Sequence, residues 1–439
     1  MRKFRFIYVL MAASFFVACA ESDDLYENET NPVAKNPYEI SIETAMQTLE
    51  TMFPEMMRTT RVSASEVKTL RRSDLGMTTR AEDEDPQAPV AYIIPLANNG
   101  CAIMGADTRK ERLYAALEST TLTPDDIARA VQQQQATRSE NTTDSEGADG
   151  EFEQIDDIKK FASGLIANSI LDSIQFPPQD SFPNGNSPIP IVRNGETLKI
   201  TILNKAPILK TKWHQRSPFN DSLAIIDNKR IPAGCGPIAI SQILYFLQRP
   251  DSLNNFPIQW NNFPNYTFDR ILSTSMYEKS HLSSCILHIR QAIGISPTQS
   301  NCNNFQLVGF LNRLGFNNVS DNMIYNENSV IAMLSNDKPI FAYGLRNDNG
   351  NQVGHAWVVD GCKIYYLLIG KNDSIIRNDY SFLHCNFGWE GVCDGYYSKF
   401  VINPSIGLDD EYIDSNAGDL FGIKGGHYNL YNGMIFYGL

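Results

Sequence analysis

The chain has 439 residues, of which 42% are hydrophobic and 20% charged, enough for two to three domains with real cores. Its formal net charge of −13 leaves no domain-wide basic face to displace counterions from phosphates, which argues against a nucleic-acid binder. Eight cysteines without a CxxC pair are too sparse for a disulfide scaffold, and with six scattered histidines they offer no four-ligand zinc cluster, so neither metal nor other cofactor is expected.

Arg2, Lys3 and Arg5 precede an apolar run from Phe6 to Ala18, too short to span a bilayer and patterned as a signal peptide over residues 1–18. Cys19 follows Phe-Val-Ala as in a bacterial lipobox, although Phe16 stands where Leu is more usual. Cleavage there makes Cys19 an acylated first residue, the chain's one link to a membrane; a plain secretory peptide would instead release the chain. Residues 19–36 read as an acidic, polar tether.

From Asn36, apolar residues at helical spacing predict one helix across NPYEISIETAMQTLETMFPEMM. Residues 61–88 run from basic to strongly acidic and end near Pro, as an exposed mobile loop would. The β-branched and aromatic residues around Asn98-Asn99-Gly100 predict a hairpin. Residues 132–157 carry few apolar side chains and read as a second mobile loop. Pro, Asn and Gly cluster again at 176–190, which puts the main boundary near residue 195. Beyond it we expect a helix after Cys235, a second across 300–316, and then strands at KPIFAYGL, GHAWVVDGC, KIYYLLIG, SFLHCNFGW and GYYSKFVI. Helices followed by antiparallel strands make the fold class α+β. Cys385 and Cys393 flank a glycine-rich turn, and either a disulfide or two buried thiols would suit them.

One cysteine stands apart. Cys235 lies between Gly234 and Gly236; Pro237 suits a first helical turn, and Ile240, Ile243, Leu244 and Leu247 form an apolar stripe behind it. A thiol at that helix entrance meets unpaired amides and the positive end of the dipole, which favour the nucleophilic thiolate. The glycines let backbone and substrate approach closely. Taken alone, Gly-Cys-Gly describes a buried small hydrophobe better than a nucleophile. A catalytic cysteine also needs a base and a group that orients the base. His355, in QVGHAWVVDG at the start of a strand, is the leading base, and Asn386 in LHCNFGWEG is placed to bond the second ring nitrogen.

AGCGPIAISQILYFL, GHAWVVDG and HCNFGWEGVCDGYY, in the order Cys, His, Asn, resemble the three signature blocks of the streptopain family, papain-like cysteine peptidases of family C10 made as zymogens. PILKTKWHQRSPFND is similar to the block in which that family carries its oxyanion glutamine, Gln215 here. The resemblance covers residues 205–439 well. The prosegment resembles less closely, through APVAYIIPLANNGCAIMGADTRKERLYAAL. It implies a helical half and an antiparallel sheet half at residues 196–439, preceded by an α+β prodomain at 37–195 that packs on the catalytic domain and disturbs the active-site histidine until it is cut away.

The same resemblance implies roles. Cys235 attacks the scissile carbonyl, His355 takes the thiol proton and returns it to the leaving amine, and Asn386 holds the imidazole tautomer. The Gln215 amide and the Cys235 backbone N–H stabilise the oxyanion, while Trp389, with Phe387, shields the His-Asn contact from water. Substrates are then protein chains with a hydrophobic residue two places before the cut, and the prosegment is an intramolecular inhibitor. The sequence departs from the family at Phe387, where Trp is common, and at Gly236-Pro237, where small and β-branched residues are usual; both departures point to altered substrate fit. His427 in the tail GIKGGHYNLYNGMIFYGL is a rival base without a matching neighbour, His214 reads as a surface or loop residue, and His384 beside Cys385 is no ligand pair, because neighbours on a strand face opposite ways. Two other functions use the same residues: an amidase or transglutaminase-like acyl transferase, with Asp360 as the acidic third group in a different fold, and a surface adhesin that keeps the peptidase fold without turnover.

Overall fold

A computed structural model describes residues 38–60, 62–76, 85–108, 112–139, 155–175, 196–263, 275–299, 302–322, 325–348, 351–371, 374–402 and 430–438. The leader, Cys19 and tether, the cluster at 176–190 and the loop carrying His427 lie outside these residues. The described residues fall in one compact unit.

Helix α1 (Ile42–Met52) starts where the Ser41 hydroxyl accepts from the Thr44 amide at 3.2 Å, and it buries Ala45, Leu49 and Met52 on one face. Phe53 then leaves helical geometry at φ −132° and α2 (Pro54–Arg58) begins at proline. The single helix expected here is therefore two, because a proline disfavours the α conformation in the residue before it. The loop expected at 61–88 contains strand β1 (Lys68–Arg71), drawn onto the sheet by Leu70, which is fully buried despite its charged neighbours. Strands β2 (Pro89–Pro95) and β3 (Cys101–Gly105) form the expected hairpin, with Asn98 and Asn99 both at positive φ in the turn. Along β2 the side chains alternate: Ala91 and Ile93 join the larger core, and Tyr92 and Ile94 join a second core with α1 on the other sheet face.

After β4 (Leu113–Leu117), α3 runs over Pro124–Ser139 and α4 over Ile155–Gln175. The loop expected at 132–157 is thus helical at both ends. Few apolar residues suffice for α3, because Ile127 and Val131 are enough to seat it, whereas α4 is buried throughout from Phe161 to Leu171.

The remaining strands of the main sheet are β5 (Thr197–Lys205), β6 (Asn317–Asn322), β7 (Ile340–Asp348), β8 (Asn351–Lys371), β9 (Ser374–Asn386), β10 (Gly395–Ser398) and β11 (Leu430–Gly438). With the first four they make an eleven-stranded sheet in the order β1-β2-β3-β4-β10-β9-β8-β7-β11-β6, with β5 also on β8. Its pairings are antiparallel. The sheet crosses the boundary expected near 195, since β4 pairs directly with β10. GHAWVVDGC and KIYYLLIG, expected as two strands, are one: β8 pairs first with β7 and then with β5, changing partner at an irregularity between Val359 and Gly361. Gly361 marks a close backbone approach there, a Cβ at that position falling 2.9 Å from the Lys205 carbonyl oxygen.

Helices α5 (Cys235–Leu247), α6 (Met276–Ile293), α7 (Asn304–Arg313) and α8 (Glu327–Ser335) supply the helical half, followed by the short α9 (Lys399–Ile402). Two of these were expected. The signal for α6 was a Ser275/Glu278 capping box, in which each side chain bonds the other's backbone amide. The architecture is α+β, with a helical layer against an antiparallel sheet.

Candidate active site

Gly234 adopts φ 89°, a conformation that glycine supplies, and delivers Cys235 as the first residue of α5. The stripe behind it is as read: Ile240, Ile243 and Leu244 are fully buried, so the helix entrance is rigidly seated while Cys235 itself is half-buried. Arg290 of α6 donates from Nη1 to the Ala233 carbonyl at 2.6 Å, and the Ala233 amide donates to the Gln215 carbonyl at 2.8 Å. The segment before the thiol is therefore pinned on both sides, and Gln215, only 4% exposed, is brought to it.

The run Thr211–Gln215 is stitched residue by residue to its surroundings. The Thr211 hydroxyl donates to Gln242 Oε1 on α5 at 2.6 Å, and its carbonyl accepts from Asn386 Nδ2 at 2.8 Å. Lys212 Nζ meets Asp394 Oδ2 at 2.6 Å, and the Trp213 carbonyl accepts from the Glu390 amide at 3.4 Å. His214 Nε2 lies 3.1 Å from Glu390 Oε1, and burial pushes its pKa down to about 4. His214 is a buried loop residue edge-on to Phe219 rather than a surface one, because Glu390 and Phe219 enclose it.

His355 lies on β8, 2% exposed, opposite Gly344 of β7. Its Nε2 is 2.8 Å from the Phe387 carbonyl oxygen. A carbonyl only accepts, so Nε2 carries the proton and Nδ1 is the basic position of the neutral ring. Asn386 ends β9, with its side chain engaged elsewhere: Oδ1 accepts from Gln242 Nε2 at 3.2 Å and from the Gly388 amide at 3.1 Å, while Nδ2 serves Thr211. The expected hydrogen bond between the imidazole and Asn386 is thus replaced in this structure by one that the imidazole donates to the carbonyl of the next residue. A buried amide must satisfy both its ends, and α5 and Thr211 supply those partners first.

Phe161 from α4 packs edge-on against the His355 ring at 5.3 Å, and also against Trp357 at 5.7 Å and Phe387 at 6.1 Å. Trp357 and Phe387 stack near the imidazole at 6.4 Å and 5.9 Å. The departure at Phe387 thus places a ring beside the histidine, whereas Trp389, 4% exposed, sits one turn on, its carbonyl accepting from the Val392 amide. That turn packs on α5, since a Cβ at Gly388 would meet Ile238 Cγ2 at 3.1 Å. Asp394, 1% exposed at its side chain, accepts from the Phe387 amide at 2.9 Å, holding the backbone of the residue whose carbonyl accepts from His355. Sequence reading missed Phe161, Thr211, Gln242 and Asp394. Only Asp394 left a trace, as one of two acids, with Glu390, in the HCNFGWEGVCDGYY block.

Asp360 does not face His355. Its Oδ1 lies 2.6 Å from His384 Nδ1 and its Oδ2 accepts from the Leu209 amide at 3.1 Å. His384 Nε2 also meets Glu118 at 3.3 Å, beside the Tyr396 ring. Burial alone would push the His384 pKa down, but Asp360 and Glu118 reverse this and raise it to about 10. Glu118 in turn is held below the usual carboxylate range, chiefly by its bond to His384. Since the folded imidazolium keeps its proton up to about 10 whereas the ordinary value is 6.5, its contribution is complete below 6.5 and is lost as pH rises toward 10. Urea titrations are expected to show the unfolding free energy falling by a few kcal/mol, on the order of one per pH unit, between neutral pH and pH ~10, and a flatter profile for His384→Gln. Parallel profiles for the two proteins would contradict this.

The departure at Gly236 also has a structural reason: a Cβ there would lie 2.5 Å from Cys302 Sγ. Gly→Ala inside a helix ordinarily stabilises by about 1 kcal/mol, but overpacking costs about 1–3 kcal/mol. Gly236→Ala is therefore expected to lower stability in denaturant titrations and to raise it once Cys302 is also alanine; the same sign in both backgrounds would refute the contact. Cys385 and Cys393 are unbridged and buried.

The family model described as "Peptidase C10 family" matches residues 253–397, a span that contains His355, Asn386 and Trp389 and begins after Gln215 and Cys235. Streptopain of Streptococcus pyogenes serotype M28 (strain MGAS6180) is 33% identical over 79 residues, 18% of this chain and 15% of that protein. Streptopain of serotype M1 is 35% identical over 72 residues, 16% and 13% of the two chains. The chain thus spans about 15% of the length of the first of these curated relatives. Among solved structures, a fragment of Prevotella intermedia prointerpain A overlaps 79% of this chain and 94% of that one at 16% identity and a TM-score of 0.46. Active interpain A from the same organism overlaps 53% and 94% at 19% identity and a TM-score of 0.37. Over residues 253–397 the chain is thus similar to the Peptidase C10 family.

Proposed function

We propose that the chain is a cysteine endopeptidase made as a zymogen, exported by its leader and either held at the cell envelope through a lipid on Cys19 or secreted. Cys235 is the nucleophile, His355 Nδ1 the base, and the Gln215 amide with the Cys235 N–H the oxyanion donors. Residues 37–195 act as the inhibitory prosegment and 196–439 as the catalytic domain. The observation that carries the zymogen reading is Phe161, a side chain of the N-terminal part, packed against the imidazole at 5.3 Å. With that ring in place His355 bonds the Phe387 carbonyl, and Asn386 is left to Gln242 and Thr211. Removal of α4 frees the imidazole to turn toward the Asn386 amide, restoring the order that catalysis needs.

The test uses residues 20–439, without the lipid cysteine, beside a Cys235→Ala copy, both incubated with a thiol reductant. Shortening of the parent alone to a product beginning near residue 195, accompanied by casein hydrolysis, is expected. If both chains stay intact and inert even after an added protease trims the N-terminal part, the peptidase reading fails and the adhesin reading replaces it.

A further inference from the structure

The Cys302 sulfur lies against the first turn of α5. The 2.5 Å gap between its Sγ and the place of a Cβ on Gly236 puts it beside the residue that follows Cys235. One guanidinium ties the two thiol-bearing segments together: Arg290, 2% exposed, donates from Nη1 to Ala233, two residues before Cys235, and from Nη2 to the Gln299 carbonyl, three before Cys302. Both cysteines are half-buried, and neither is bridged. Burial pushes the Cys302 thiol well above the ordinary range, Cys235 alongside adds to this, and Arg290 opposes it. Cys302 is thus a protonated partner next to the residue that the helix dipole favours as thiolate.

We propose that Cys302 is the resolving cysteine of a redox switch that closes a Cys235–Cys302 disulfide and reversibly silences the nucleophile. This rests on the reading of Cys235 as the reactive thiol. With an organic disulfide RSSR as oxidant, the Cys235 thiolate attacks one sulfur and RS⁻ leaves, taking a proton to become RSH. Cys302 then loses its proton and attacks the Cys235 sulfur of the mixed disulfide, and the second RS⁻ departs as RSH. Two protein thiols are oxidised and one small disulfide is reduced, a two-electron exchange that a dithiol reverses. A peptidase exported with such a pair stays silent where the surroundings are oxidising, and its nucleophile is protected from irreversible oxidation to the sulfinic acid.

The test treats the full chain from residue 20, and its self-processed product, with oxidised glutathione, then alkylates and digests them for disulfide mapping by mass spectrometry. A Cys235–Cys302 peptide pair is expected in the parent, together with a loss of at least about tenfold in casein hydrolysis that dithiothreitol reverses. In Cys302→Ser, with Cys302→Ala as a second form, glutathione is expected to remain on Cys235. Glutathione retained on Cys235 in the parent, with no bridge, overturns the switch while leaving the reactive thiol intact. No modification of Cys235 in a reduced protein that is also inactive overturns the switch and the peptidase reading together. Because the mapping is done on the parent, the result does not depend on the variants folding.

Discussion

Cys235→Ala and His355→Ala are each expected to lower casein hydrolysis by the processed chain by at least about 10⁴-fold, and the double substitution by no more than either alone. Nucleophile and base act as one unit: without His355 there is nothing to accept the thiol proton or return it to the leaving amine, and without Cys235 the base has nothing to activate. The oxyanion donors and the substrate groove remain in all three variants, so the residual rate is common to them. Cys235→Ala should cost little of the fold, since Cys235 is half-buried at a helix end and the Gly234 turn that places it is unchanged. His355→Ala also removes a buried ring and its bond to the Phe387 carbonyl and should lower stability as well. The measurement is initial rate on casein under reducing conditions, with urea unfolding as control. Losses that multiply in the double variant would show that the two residues do not share a step, and would send the search for the base elsewhere.

Phe161→Ala should split stability from activity in opposite directions. Phe161 is fully buried, against His355, Trp357 and Phe387 from three positions of the sheet half. Its truncation leaves a cavity and removes that ring packing, so the unfolding free energy of the intact chain is expected to fall by about 3–5 kcal/mol. The same cavity releases the imidazole, so self-shortening should begin sooner than in the parent at equal concentration. The N-terminal part of the wild-type chain holds with further contacts of its own: the Ser119 hydroxyl donates to the Gly391 carbonyl at 3.0 Å, the Thr120 hydroxyl accepts from the Cys393 amide at 2.8 Å, and Lys363 pairs with Glu55 at 2.5 Å. Phe161 is the one among these that touches His355, which is why its loss should speed processing beyond what the loosened fold alone explains. A Leu165→Ala control, equally buried in the core, separates the two effects. If it shortens as fast as Phe161→Ala, α4 inhibits by bulk and Phe161 has no particular part.

Much of this protein was legible in one dimension. Local rules acted where the deciding partners were near in sequence: the Asn98-Asn99 hairpin needs only residues that tolerate positive φ, and α5 needs only Gly234, Pro237 and an apolar stripe at helical spacing. The same holds for proposing Cys235, His355 and Asn386 together, because each sits in its own short block. Tertiary structure decided what depends on partners far along the chain. The edge strand β1 exists because Leu70 finds a buried seat beside β2, which outweighs the charge around it. β8 continues through Gly361 because β5 takes over the pairing that β7 leaves, so a glycine that reads as a turn is a place where two backbones come close. The hydrogen bond of His355 to Phe387 in place of Asn386, the packing of Phe161 on the imidazole and the seat of Cys302 over Gly236 each join residues from separate elements. The sequence alone determined which chemistry the residues carry. Only the packed fold decided which of them meet, because burial energy and hydrogen-bond satisfaction are settled between elements rather than within them.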